Sequence, residues 1–161
     1  MKILIERSAL LGCSLTLIAL LTGCPYQSNV PLDDHYAADW DLSGKWKCQT
    51  EGYDISEVEV LNDEYTNIIK VNDGLSENQY RAWRTSIEGD EFLYVEIVKD
   101  GKTTYAIYKY TADLARTRTW ELNPEVMDPN GYSSTEELRN AVAALKGRDD
   151  AFVREAVWVM K

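Results

Sequence analysis

The chain has 161 residues and a formal net charge of −10, from 27 acidic against 17 basic side chains, with a single histidine and three cysteines. A surface this acidic is repelled by phosphate backbones and anionic headgroups, which argues against nucleic acid as a partner and against broad electrostatic adhesion to a bilayer. The length suits one domain with a sizeable core.

Lys2 and Arg7, tempered by Glu6, open the chain with a weak positive charge, and a mostly apolar run from Ala9 to Leu21 follows. That run is short for a bilayer span, which needs ~20 residues, and fits the ~7–15 residue apolar region of a secretory signal. Leu21, Thr22, Gly23 and Cys24 close it with two small residues before a cysteine. This pattern resembles the lipobox of bacterial lipoproteins. The resemblance implies that residues 1–23 are a signal peptide and that Cys24, once freed, carries a diacylglyceryl thioether and a further acyl chain of the palmitate type. Each buried methylene adds ~0.8 kcal/mol and one chain alone binds marginally, so two or three chains hold a protein on a membrane. Residue 25 is Pro and not Asp. By the same resemblance, that favours an outer membrane facing the periplasm over inner-membrane retention in a Gram-negative envelope. Cleavage would remove Lys2, Arg7 and Glu6 and leave the mature chain one unit more negative.

Residues 24–41 show little periodicity. Pro25, Ser28, Asn29, Pro31, Asp33 and Asp34 read as a flexible tether, with an average reach of ~20–25 Å. Residues 42–161 then form a single β-rich domain. Strands are expected at Gly44–Thr50, Ile55–Leu61, Tyr65–Val71, Tyr80–Ile87, Phe92–Lys99, Thr103–Thr111 and Arg118–Leu122, each short and separated by turn residues. The spacing indicates an antiparallel meander that forms a barrel or a sandwich. Cys48 is left alone once Cys13 departs with the signal and Cys24 is lipidated, so no intrachain disulfide is expected. It reads as a small core residue, since the only histidine, His35, sits in the tether.

The clearest hairpin turns at Asp100-Gly101, a pair suited to a two-residue type I′ turn. Its register sets Leu93 against Tyr108, Val95 against Ala106 and Ile97 against Thr104 on a core face. The other face pairs Phe92 with Lys109, Tyr94 with Ile107 and Glu96 with Tyr105. Both faces are rich in apolar groups, so a cover over the second is expected. The preceding turn is either Glu88-Gly89-Asp90 or Gly89-Asp90, which sets Trp83 over Val95 or over Glu96, and a one-residue slip moves every side chain to the opposite face.

Asp128-Pro129-Asn130-Gly131 reads as a structural turn without the later acids of a calcium loop. Ser134 with Glu137 forms a capping-box pattern, and Leu138, Val142 and Leu145 give the stripe of one amphipathic helix, closed at Gly147. Phe152–Met160 is expected to return as a last strand. Phe152, Ala156, Trp158 and Met160 would share one face, broken by Arg154. Gly44-Lys45-Trp46 resembles the Gly-x-Trp motif of lipocalins, as does the order of meander, helix and last strand. The resemblance implies a closed or partly open barrel, with the Trp packed beneath an Arg near the barrel's end, for which Arg154 is the counterpart. A Thr-Asp-Tyr type motif is missing from the middle of the chain.

No Ser-His-Asp set, zinc spacing or phosphate loop is present. Glu136-Glu137 and Asp149-Asp150 suit a helix start and a loop. The chain is therefore expected to be no enzyme and to need neither metal nor cofactor. The first expectation is a lipid-anchored module that docks another envelope protein through a sheet edge or aromatic patch. The second is a lipocalin-like binder of a small apolar ligand, for which ten Tyr and five Trp supply lining. The sequence assigns no ligand-binding residue.

Overall fold

A computed structural model describes residues 26–33, 42–50, 56–63, 66–72, 74–113 and 115–161. The expected signal peptide and Cys24 lie outside them, as do His35, Ile55 and Tyr65. Among the described residues, no helix is long and apolar enough to cross a membrane.

Among the described residues nine strands form: β1 Gln27–Ser28, β2 Gly44–Thr50, β3 Ser56–Asn62, β4 Asn67–Asn72, β5 Glu77–Ile87, β6 Asp90–Lys99, β7 Lys102–Asp113, β8 Arg116–Leu122 and β9 Phe152–Met160. An α-helix, α1 Thr135–Ala143, lies between β8 and β9. Strands β2 to β9 pair antiparallel in sequence order, and β9 returns to β2, which closes an eight-strand up-and-down barrel. The meander expected from the turn spacing is thus a barrel, not a sandwich. The reason lies in β9: it satisfies both open edges at once, pairing with β2 on one side and β8 on the other.

Period-2 alternation supplies two cores. The barrel interior holds Trp46, Val58, Val60, Ile69, Val71, Ala82, Leu93, Val95, Ile97, Ala106 and Tyr108, joined by Trp158. Outside the wall, Trp83, Phe92, Tyr94 and Ile107 face α1, whose Leu138 and Val142, with Leu145 just beyond, pack on them. The β6–β7 register is the one derived from Asp100-Gly101, with Leu93 opposite Tyr108 and Tyr94 opposite Ile107. The expected cover over the second face is α1 together with the N-terminal segment.

The β5–β6 turn differs from both expected forms. It is Glu88-Gly89, with Ile87 opposite Asp90 and Trp83 opposite Tyr94. Glu88 takes φ 54° and Gly89 φ 84°, so a glutamate accepts the strained first position of the turn. Tertiary packing explains this. The register puts Trp83 and Tyr94 on the same outer face, where their rings stack at 5.5 Å, and Lys146 Nζ donates to the Glu88 carbonyl.

The helix follows its sequence signals. Ser134 Oγ accepts from Glu137 N at 3.2 Å. The Glu137 carboxylate reaches one residue further back than a standard capping box, accepting from Ser133 N at 2.9 Å. The Ser133 hydroxyl, which donates to the same carboxylate at 2.7 Å, and then that N–H hold the Glu137 carboxyl below its usual range.

The stretch read as a tether is in part an element of the domain. Gln27 and Ser28 pair with Ala106 and Tyr105 along the part of β7 that precedes its pairing with β8. Tyr26 and Leu32 are buried in the outer core. Composition concealed this, because the polar residues of the segment are spent on specific contacts and a few apolar side chains, Tyr26, Val30 and Leu32, anchor it.

Candidate functional site

Inward-facing residues of seven strands leave a cavity of about 70 Å³ in the barrel, toward the Thr50 end of β2. Cys48 and Thr50 come from β2, Val58 from β3, Ile69 and Val71 from β4, and Leu93 and Val95 from β6, all from strict alternation. Tyr108 on β7, Thr119 and Glu121 on β8, and Arg154, Ala156 and Trp158 on β9 complete the lining. The wall is mostly apolar, with its polar groups on β7–β9 and at Thr50 of the adjoining β2.

Arg154 reaches the site because β9 carries a bulge. Trp120 pairs with Glu155 and Glu121 with Val153, so Arg154 is an extra residue, with φ 47°. The bulge also breaks the expected face of β9. Ala156 and Trp158 point into the barrel, whereas Phe152 is delivered to the outer core, tilted against Phe92 at 5.9 Å. The lipocalin-like placement of Arg154 under Trp46 is not what forms. Trp46 lies opposite Met160, six residues along β9 from Arg154, and its Nε1 donates to the Leu42 carbonyl at 2.9 Å. Arg154 instead forms an ion pair with Glu121 at 3.5 Å.

Glu121 is only 4% exposed. Burial pushes its carboxyl up to about 7, with the Arg154 charge pulling the other way. Burial, reinforced by the nearby Glu121 charge, also drives the Tyr108 phenol well above its ordinary value. Two buried polar atoms of the lining, Tyr108 Oη and Trp158 Nε1, have no hydrogen-bond partner within the protein, and Glu121 Oε2 is met by Arg154 at 3.5 Å. Each of the two unpartnered atoms, left unmet, costs roughly 1–3 kcal/mol. A molecule with an apolar body and a polar end would satisfy them: Trp158 donates only, and Tyr108 donates or accepts.

Cys48 also lines the cavity, half-buried against the interior core. Burial raises its thiol to about 12, which suppresses the thiolate a nucleophile requires. The Asp128–Gly131 segment is a turn closed on itself, with Asn130 N donating to Asp128 Oδ1 at 2.8 Å. Asp150 is paired with Arg148 at 2.8 Å. Among the described residues, no three His, Cys, Asp or Glu side chains gather as a metal site would require.

Glu121 and Arg154 were given no binding role by sequence reasoning. One signal was available for Glu121: with Thr117 and Thr119 it occupies alternate positions of a strand whose other face is also paired. The Arg154 bulge has no local signature, since nothing in Val153-Arg154-Glu155 asks for positive φ. No family model matches the chain, and neither a curated protein nor a solved structure matches it.

Proposed function

We propose that this protein is a lipid-anchored envelope lipoprotein whose barrel binds a small, mainly apolar molecule with a polar end. The observation that carries the reading is that Tyr108 Oη and Trp158 Nε1, both without hydrogen-bond partners, and the Glu121–Arg154 ion pair belong to the lining of an otherwise mainly apolar cavity. Apolar walls with a few converging polar groups are the usual make-up of ligand sites. The cavity of about 70 Å³ sets the scale. It is below the ~300–1,000 Å³ of drug-sized sites, so the ligand is a compact one or its tail leaves through the barrel mouth. The lipobox resemblance at Cys24 supports the anchor, and Pro25 supports an outer-membrane address. Docking of an envelope protein is the weaker reading, because closure of the barrel removes the free sheet edge that was one of the two surfaces, edge or aromatic patch, open to it.

Phenol, hexanol and xenon test the cavity. Phenol should bind saturably and raise the melting temperature, with its effect reduced in Tyr108→Phe and abolished in Leu93→Trp, which fills the space. Xenon should report the cavity without the polar contacts. Absence of saturable binding by all three probes would overturn the reading.

A further inference from the structure

The segment that follows the expected lipid site is fastened to the barrel at both ends. At its start, Tyr26 is buried in the outer core, and the Gln27–Ser28 strand pairs with β7. Asn29 clasps the backbone of Tyr132, donating to its carbonyl at 2.8 Å and accepting from its N–H at 3.2 Å. Gly131 permits this approach: a Cβ there would lie 2.6 Å from Asn29 Oδ1. At its far end, Arg139 of α1 donates to the Leu32 carbonyl at 3.3 Å, Asp33 Oδ2 at 3.0 Å and Thr85 Oγ1 at 2.9 Å. Tyr94 Oη adds a bond to the Asp33 carbonyl at 3.2 Å. Side chains from α1, β5 and β6 thus converge on Leu32 and Asp33.

Tyr26 is two residues after Cys24. Two residues of chain span at most ~7 Å. We infer that the barrel sits directly on the phospholipid surface in one orientation, with the beginning of β1 and the adjoining Asp128–Tyr132 turn facing the headgroups, in place of swinging on a long tether. The inference rests on lipidation of Cys24. It deepens the proposed function by restricting the barrel to ligands found at the bilayer surface. The contact is steric and not electrostatic. Asp128 stands beside Tyr26, and the acidic chain would be repelled by anionic headgroups, so zwitterionic lipid is the matching surface.

The test uses the full chain, processed in a lipidating bacterial host and reconstituted in phosphatidylcholine vesicles. A fluorophore is placed on Asn130→Cys in a Cys48→Ala background, with an acceptor dye on the lipid headgroups. Energy transfer should be strong in the native spacing. Insertion of ten Gly/Ser residues after Pro25 adds a reach of ~16–19 Å and should cut transfer at least about twofold. Arg139→Met combined with Asn29→Ala should lower it as well by freeing the segment. Intact mass and vesicle flotation report lipidation separately. If Cys24 carries no lipid, the anchor reading and this inference both fall. If Cys24 carries lipid and flotation is normal, but the insertion leaves energy transfer unchanged, only the fixed seat is overturned.

Discussion

Raising the pH from about 4.5 to 7 should weaken the barrel through Glu121. Its carboxyl is 4% exposed, and burial lifts it from 4.5 to about 7 in the folded state. Between those values the folded chain holds a proton that the unfolded chain has released. Stability therefore falls as pH rises through that window, by about 1.4 kcal/mol per unit, and levels off above the folded value. Over the whole gap the loss approaches ~3 kcal/mol, a large share of the ~5–15 kcal/mol that domains of this size possess. Glu121→Gln removes the titration and keeps the shape. The variant leaves Arg154 short of an anionic partner, but an arginine keeps its charge throughout this range, so that penalty is constant with pH. Urea unfolding of both proteins from pH 4.5 to 8.5 would isolate the effect in the difference between them. General repulsion and surface carboxylates largely cancel in that difference. The stability of the wild type relative to the variant should drop by ~2–3 kcal/mol between pH 4.5 and 7. Curves that run parallel within ~0.5 kcal/mol would refute the assignment of a buried, desolvated acid at this position.

Trp46→Ala should cost ~3–5 kcal/mol, because the indole is 1% exposed and hydrogen-bonded to the Leu42 carbonyl; Tyr105→Ala, whose ring packs edge-on against Tyr94 while remaining half-buried, should cost less. Retention of the wild-type melting temperature by Trp46→Ala would show that the Gly-x-Trp tripeptide is incidental. The Cys48 thiol, raised to about 12, should react with a maleimide very slowly at pH 8 and roughly a thousandfold faster once denatured. Rapid labelling of the native protein would place that thiol in water.

Local rules made most of the strands legible. Gly44–Thr50 and Phe152–Met160 form with the bounds their composition indicates. The β6–β7 register follows from Asp100-Gly101, because only a few residue pairs tolerate positive φ at both positions. The helix start follows from Ser134 and Glu137, whose side chains bind backbone groups within one turn. In each case the decisive interaction spans a few residues, so its chemistry is readable in order along the chain.

Tertiary structure decided what depends on partners distant in sequence. Closure needed β9 to meet β2, more than a hundred residues away. The turn at Glu88-Gly89 was set by Trp83 stacking on Tyr94, at the expense of an unfavourable φ. The fastening of residues 26–33 depends on Arg139 and Tyr132, which composition cannot link to that segment. The cavity owes its polar edge to a bulge at Arg154 that brings the guanidinium to Glu121. A carboxylate's burial is a property of what surrounds it, and for Glu121 those surroundings come from several different strands. The sequence by itself therefore determined the elements, while only the assembled barrel decided which polar side chains would face inward.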